Sequence, residues 1–286
     1  MQYSLVAIAA FAAAANAHGV ITEVQGANGV NMPGLSVADG TPRDCASPLC
    51  GSEADTSIIR TKEMGGKASA LGRTANGPVD AASAIATFMG TGAGAAAGTA
   101  ATKRQLLGGL LGGGKGKGAG GAAGAGTKTA KGTTEQGVAA AAGAGASSGL
   151  PTTADDGTIT MTFHQVNQDG AGPLSAQIDA TSGGTDPAAF QDATVTQNVP
   201  GIGIGGLSAA STMDFPVKVQ MPAGMTCQGT AGGASNVCVV RMQNKALAGP
   251  FGGSAAFTQS TGAQKRAVEY NLRKRHMARG VLGKPE

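Results

Sequence analysis

The chain has 286 residues, of which 49 are glycine, 13% are charged and 3% are aromatic, with a net charge of +4. The glycines follow no three-residue period, which excludes a collagen helix, and the low net charge with alternating apolar segments argues against a fully disordered chain. After residue 17 no apolar run approaches the roughly 20 residues that a membrane-spanning helix needs.

The first seventeen residues predict a secretory signal peptide. Residues 2–15 form one apolar run, which ends in the small-x-small cleavage pattern Ala-Asn-Ala at residues 15–17. The alternative is an N-terminal anchor helix, but the run is short and lacks basic flanks. Cleavage after residue 17 makes His18 the first residue of the mature chain. We therefore expect a secreted protein, extracellular or held at the cell surface, with no membrane segment after cleavage.

Short alternating segments after the signal predict an all-β fold. The predicted elements, in chain order, are a strand at 19–25, a helix at 78–89, and strands at 158–166, 175–180, 192–197, 213–220, 237–242 and 254–259. In the strand at 158–166, Ile159, Met161 and Phe163 point to one face and His164 to the other. Turns rich in Gly, Pro, Asn and Asp separate the strands, so we predict an immunoglobulin- or fibronectin-like β-sandwich with minor helix.

Four cysteines follow the signal segment and predict two disulfide bonds. Three pairings are possible, and the short spacings favour Cys45–Cys50 and Cys227–Cys238. A zinc site is the rival interpretation, but the sequence has no CxxC motif and export is oxidising.

Two basic segments stand apart from an acidic body. The segment at 91–150 is a low-complexity Gly/Ala/Lys-rich insertion with a charge of +5, and the tail at 265–286 also carries +5, which leaves −6 for the rest. Both offer little apolar surface, so we predict disorder in each. The chain then divides into a signal peptide at 1–17, a single β-sandwich domain at 18–90 and 151–264, the insertion and the tail. Nucleic-acid binding is not expected, because aromatic stacking partners are missing and the chain is exported.

Two of the three histidines predict a metal site. As an N-terminal residue, His18 offers its α-amine and its ring Nδ1 to one metal, and His164 lies on the polar face of its strand just before a turn. Three nitrogens in a near-planar arrangement suit Cu(II). The alternatives are that His18 follows the cleavage site by chance and that His164 is an ordinary strand histidine. His276 lies in the basic tail and is expected to have no role.

Several blocks of the sequence resemble one family of secreted fungal proteins. These blocks are HGVITEVQGANG, PRDCASPLCGSEADTSIIR, LGRTANGPVDAA, FHQVNQDGAGPL and VCVVRMQNKALAGPFGGSAAFTQ. They are similar to the Egh-type or Gas-type appressorium-associated virulence factors of pathogenic fungi. The resemblance covers nearly all of the body but neither the insertion nor the tail. It implies a secreted or cell-surface protein that acts in host penetration, and it leaves the biochemical activity open.

A wider similarity suggests a mechanism. The mature His-Gly start and the later His-Gln-Val-Asn-x-Asp-Gly-Ala-Gly-Pro are similar to fungal lytic polysaccharide monooxygenases. On this resemblance His18 and His164 form a copper-binding histidine brace. Phe257 is the candidate for the axial position, with Phe251 behind it, and Gln259 for the polar group that orients an oxygen species. Taken alone, Phe257 is better explained as a core residue.

These patterns leave two functions open. The first is an interaction protein, a monomer that retains a copper site and contacts cell-wall polysaccharide or a host surface component. The alternative is an active copper-dependent polysaccharide monooxygenase. The body has few aromatic residues for stacking on a polysaccharide and lacks the Gln-x-Tyr arrangement, which favours the first. A third interpretation, hydrolysis by paired carboxylates among Asp155, Asp156 and Asp169, competes with a simple turn at residues 155–157.

Overall fold

The computed structural model describes residues 18–92, 125–201, 210–246 and 248–282, and the predicted signal peptide lies outside these ranges. In the described ranges the chain forms thirteen β-strands and four α-helices. The strands are β1 (Gly19–Gln25), β2 (Asn31–Pro33), β3 (Ser57–Ile58), β4 (Arg73–Thr74), β5 (Gly77–Pro78), β6 (Thr127–Lys128), β7 (Thr158–Gln165), β8 (Ser175–Asp179), β9 (Phe190–Gln197), β10 (Met213–Gln220), β11 (Gly229–Ala231), β12 (Ala234–Gln243) and β13 (Phe251–Phe257). The helices are α1 (Ala81–Met89), α2 (Gly137–Ala141), α3 (Gly145–Ser148) and α4 (Thr261–Leu282).

The strands form one curled antiparallel sheet, which confirms the predicted all-β class. Their order is β2-β1-β7-β10-β9-β8-β12-β13-β3-β4-β5, with β11 beside β12 and β6 beside β10. The curl brings β1 against β13, and the contact is so close that a Cβ atom on Gly253 would lie 2.6 Å from the backbone nitrogen of Ile21. The N-terminal strand therefore packs against the last strand of the chain.

The apolar faces of the long strands turn into one main core. Ile159, Met161 and Phe163 of β7 are all buried, as their alternation predicts. They belong to the same cluster as Ile178 of β8 and Val240 of β12. Strand β10 covers the residues predicted for it, and β12 and β13 begin three residues earlier than predicted.

The predicted helix is present but begins later than expected. Helix α1 starts at Ala81, because Asp80 is the N-cap and its side chain accepts a hydrogen bond from the backbone nitrogen of Ser83 at 3.2 Å. Pro78 lies in β5 and pairs with Arg73, rather than opening the helix.

The second half of the insertion is ordered, contrary to the predicted disorder. Residues 125–150 carry β6, α2 and α3, while residues 93–124 lie outside the described ranges. Asp39 accepts hydrogen bonds from the backbone nitrogens of Val138 and Ala139 at 2.9 and 2.7 Å, which caps α2. Contacts with the body supply the stabilisation that composition alone lacks.

The basic tail was also wrongly predicted to be disordered, because residues 261–282 form α4. Ala263 and Ala267 are buried against the body, and the hydroxyl of Ser260 accepts a hydrogen bond from the backbone nitrogen of Ala263 at 3.1 Å. The abundant Lys, Arg and Ala are good helix formers, so high charge did not prevent a helix where one face could pack.

Both favoured disulfides are present, Cys45–Cys50 and Cys227–Cys238. Among the described helices, none combines the length and the apolar character needed to cross a bilayer.

Candidate metal centre

The pairing of β1 with β7 sets His18 beside His164. Gly19 pairs with Gln165 and Val20 with His164, and the backbone nitrogen of Val166 donates to the carbonyl oxygen of His18 at 2.9 Å. Directly paired residues share a face of a sheet, and side chains alternate along each strand. The register therefore places the two histidines in diagonal positions on one face of two neighbouring strands.

His164 is oriented by a carboxylate. Its side chain is 1% exposed, and its Nδ1 lies 2.8 Å from Oδ1 of Asp214, a residue of β10 whose side chain is 38% exposed. A carboxylate only accepts hydrogen bonds, so Nδ1 carries the proton and donates. In the neutral ring, Nε2 is then the nitrogen with a free lone pair, and it has no hydrogen-bond partner among the described residues. This is the arrangement by which carboxylates orient histidine ligands of metals.

His18 is held by polar side chains from two loops. Its backbone nitrogen donates to Oδ1 of Asn167 at 2.8 Å, and its Nδ1 lies 3.2 Å from Oε1 of Glu53. Nδ2 of Asn167 donates to the same Glu53 oxygen at 3.0 Å, which links the three residues. The backbone nitrogen is a peptide nitrogen in the full chain and becomes an α-amine only when residues 1–17 are removed.

Two carboxyl groups near His18 have perturbed acidity. Burial, with the nearby charge of Asp169, raises the pKa of Glu53 from 4.5 to about 7. Burial also raises the pKa of Asp169 above its ordinary value. Glu53 is therefore half-ionised near neutral pH, and a cation bound at His18 would favour its charged form.

The loop after β7 fits closely around His18. A Cβ atom on Gly170 would lie 2.0 Å from the carbonyl oxygen of His18, so glycine is required there. Asn244, which is buried, donates to the carbonyl oxygen of Asp169 at 3.0 Å and accepts from the backbone nitrogen of Phe251 at 3.1 Å. One buried amide thus joins the loop at residue 169 to the start of β13.

The aromatic residue in contact with His18 is Phe251. The two ring centroids are 4.5 Å apart, with an angle of 38° between the planes. Phe257, the residue predicted for the axial position, lies at the other end of β13, six residues or about 20 Å further along the strand. It is fully buried, as expected for a core residue.

Gln259 also lies away from the histidines. Its Oε1 accepts from the backbone nitrogen of Cys227, and its Nε2 donates to the carbonyl oxygen of Met225, both at 2.9 Å. These bonds fix the loop beside the Cys227–Cys238 disulfide. The structure thus brings together His18 and His164 and adds Phe251, but it does not bring Phe257 or Gln259 to them.

The carboxylates considered for hydrolysis are separated by a whole strand. Asp156 precedes β7 and accepts from the backbone nitrogen of Thr158 at 2.8 Å, as expected in a turn, whereas Asp169 follows the strand. Eight extended residues span more than about 20 Å, while acid and base in a glycosidase lie within about 10 Å of each other. His276 is exposed on α4, far along the chain from these residues.

The sequence did not reveal Glu53, Asn167 and Asp214 as neighbours of the histidines. The one available signal is the position of Asp214 on the polar face of the strand at 213–220, but which strand pairs with it cannot be read from local pattern.

In the described ranges, no group of three or more His, Cys, Asp or Glu side chains could hold a metal ion. The candidate centre therefore depends on two histidines and the main-chain nitrogen of His18.

Comparison with known proteins identifies the class to which this all-β chain belongs. Residues 16–252 match the Egh16-like virulence factor family, and the chain is a member of that family. No solved structure matches it.

Two relatives from one fungus are informative. The chain is 60% identical to the appressoria-specific virulence factor GAS2 of Pyricularia oryzae over 285 residues, which cover 98% of this chain and 97% of that protein. It is 38% identical to the appressoria-specific virulence factor GAS1 of the same species over 131 residues, 44% of this chain and 51% of that protein. The family resemblance inferred from sequence blocks is thereby confirmed.

Proposed function

We propose that this chain is an extracellular virulence factor that acts when an appressorium penetrates its host, and that it binds Cu(II) through His18 and His164. The first part is supported by membership of the Egh16-like virulence factor family and by the near full-length match to an appressoria-specific virulence factor. The predicted signal peptide and two disulfides agree with an oxidising compartment outside the cytosol.

The second part rests on one observation above all. Nε2 of His164 is buried without a hydrogen-bond partner among the described residues, while Nδ1 of the same ring is held by Asp214. Burying an unpaired polar nitrogen costs about 1–3 kcal/mol, and a metal at Nε2 would remove that cost. The diagonal position of His18 on the neighbouring strand supplies a second ring and, after cleavage, an amine.

Each residue around the two histidines has a defined task in this proposal. Asp214 holds the His164 ring with Nε2 available, and Asn167 positions the main-chain nitrogen of His18. Glu53 lies against Nδ1 of His18 and would give up that contact when the ring binds a metal. Phe251 covers the His18 ring and excludes water from that side. Copper held by such nitrogens supplies one-electron redox chemistry.

The test is Cu(II) binding by calorimetry and EPR to protein whose first residue is His18. The matched control carries one extra residue before His18, which turns the α-amine into a peptide nitrogen. We expect tight binding with nitrogen hyperfine structure in the first sample and its loss in the control and in His164→Ala. Weak binding that is the same in all three samples would overturn the copper proposal and leave the virulence role intact.

The alternative function is an active copper-dependent polysaccharide monooxygenase, and the contact of Phe251 with His18 favours it. The resemblance to these enzymes implies a Tyr or Phe of a late strand at the axial position of the metal, and Phe251, at the start of β13, lies against the ring of His18. The enzyme should release oxidised oligosaccharides from cell-wall polysaccharide when supplied with a reductant and peroxide. Loss of this release in His164→Ala would establish the activity. Unchanged release in that variant would show that it does not depend on the two histidines.

A further inference from the structure

Helix α4 extends beyond the part of it that packs on the body. Its first half is held by the buried Ala263 and Ala267 and by Asn271, whose Nδ2 donates to the carbonyl oxygen of Gly224 at 2.9 Å. Every side chain at residues 272–277 is exposed, including Met277 at 73%. We call residues 272–277 the free arm of α4.

The free arm carries a cluster of positive charges that have few ion pairs with acidic side chains among the described residues. Arg273, Lys274 and Arg275 are consecutive, and within the described ranges only Arg273 has an ion pair, with Glu269 at 3.6 Å. Such an exposed pair contributes little. Lys274 and Arg275 form no ion pair with any described residue. Three positive charges within one helical turn repel one another, and a ligand with closely spaced negative charges would offset that repulsion.

The other side chains of the arm limit the kind of anion. Residues 272–277 contain no Phe, Tyr or Trp, and their only ring is the imidazole of His276, so the arm lacks the series of aromatic side chains on which successive nucleic-acid bases stack. Its two apolar residues, Leu272 and Met277, are five positions apart and so roughly 140° apart around the helix. They do not form the continuous apolar face with which a helix lies in a lipid surface.

We infer that the free arm of α4 binds an acidic polysaccharide, a polymer with one carboxylate on each sugar. A regular series of fixed carboxylates complements three adjacent cationic side chains on an exposed helix and requires neither stacking nor an apolar face. The choice of a polysaccharide among polyanions rests on the proposed extracellular function, but it does not depend on copper.

The experiment measures binding of polygalacturonate to the protein purified from a secreting host, in EDTA, at several salt concentrations. The test variant is Arg273→Gln/Lys274→Gln/Arg275→Gln. The matched control, Lys62→Gln/Lys67→Gln/Lys245→Gln, removes the same number of exposed positive charges from the body. We expect affinity to fall with salt, to drop about tenfold or more in the test variant at low salt, and to change less than about twofold in the control.

Four results would overturn the inference. These are an equal loss in both variants, equal binding to fully methyl-esterified polygalacturonate, tighter binding to anionic lipid vesicles or duplex DNA, and low-salt self-association that the test variant abolishes. The same measurement on His164→Ala separates the two proposals. Unchanged polygalacturonate binding in that variant supports an arm that works without the histidines, whatever the outcome of the copper titration.

Discussion

The surroundings of His164 show how one residue is kept in a costly state. Its ring is fully buried, its Nδ1 is bound by Asp214, and its Nε2 has no partner among the described residues. Asp214 is partly exposed, so it keeps its hydration while it orients the ring. An apolar residue could replace a histidine that only filled space without the loss of any hydrogen bond. In this ring, by contrast, Nδ1 is oriented by a hydrogen bond, and Nε2 is available for a ligand.

We predict that Asp214→Asn weakens Cu(II) binding by about 10–100-fold, because the amide no longer holds the His164 ring as a charged acceptor. The fold should survive, since the lost hydrogen bond contributes about 1–3 kcal/mol. Calorimetry checks the affinity, and Asp192→Asn on the exposed face of β9 is the control. Equal affinities in the two variants would show that Asp214 does not orient the ring for a metal.

Asp179 makes folding stability depend on pH. Burial alone would raise its pKa, but hydrogen bonds from the hydroxyl of Ser182 and from backbone nitrogens of residues 181, 182 and 184 lower the pKa below the ordinary value of 3.8. The folded state therefore favours the carboxylate. Its contribution to stability is fully present above the ordinary pKa and is lost as the pH falls through the folded-state pKa.

We predict that Asp179→Asn lowers the free energy of unfolding by about 1–3 kcal/mol at pH 7, because the amide nitrogen cannot accept the bonds made by the loop at 181–184. The difference from the unmodified protein should shrink as the pH falls below the ordinary aspartate pKa of 3.8. Denaturant unfolding at pH 7 and at a pH well below 3.8 checks this. Asp186→Asn in the same exposed loop should cost about 1 kcal/mol or less at either pH.

At the scale of elements, one buried arginine fastens the ordered half of the insertion to the body. Arg43 donates two hydrogen bonds to the buried Asp55, at 3.0 and 2.6 Å, and two more to Oε2 of Glu135, at 3.0 and 2.8 Å. Burial lowers the pKa of Arg43, but these two carboxylates outweigh the effect of burial and raise the pKa above its ordinary value. The network joins segments 92 residues apart in the chain.

We predict that Arg43→Met lowers the free energy of unfolding by about 3–5 kcal/mol, because it leaves the charge of Asp55 buried without its partner. The segment at 125–150 should then become sensitive to proteases in the native protein. Arg73→Met is the matched change, since Arg73 is paired with Glu63 at the surface and should cost about 1 kcal/mol or less. Similar losses in the two variants would mean that the Arg43 network does not hold the insertion.

Local pattern predicted some elements and missed others for a physical reason. β7 and β10 were predictable because alternation is visible within eight residues. Helices α2 and α4 were not predictable, because their sequences lack a strong apolar stripe and the helices depend on contacts with distant residues. Asp39 caps α2, and the carbonyl oxygen of Gly224 accepts a hydrogen bond from α4. Amino-acid composition indicates how these segments behave in isolation, but it carries no information on the contacts that order them in the folded protein.

At the scale of the whole molecule, the disulfides differ in what they hold. Cys227 and Cys238 are buried in the main core, and their bond closes a loop of 11 residues beside β12. Cys45 and Cys50 are only partly buried and are five residues apart. The longer loop removes more entropy from the unfolded chain, and its sulfur atoms also fill core volume.

We predict that Cys227→Ala/Cys238→Ala lowers the free energy of unfolding by about 3 kcal/mol from chain entropy, with a further loss from the core cavity. Cys45→Ala/Cys50→Ala should cost about 2 kcal/mol. Thermal unfolding of both variants without reductant checks the order. A larger loss from the surface pair would show that the loop at 45–50 stabilises the fold by more than its chain entropy.

By itself the sequence determined the all-β class and the strands with clear alternation, because alternation is a pattern within a few residues. It also determined the favoured cysteine pairs and the two candidate histidines, because residues of these two types are few in this chain. Tertiary structure alone decided that Phe251 rather than Phe257 meets His18, that Asn167 contacts His18 across 149 residues of chain, and that Asp214 holds His164. These contacts follow from strand register and from the curl of the sheet. Both are set by packing between distant segments, which no local pattern encodes.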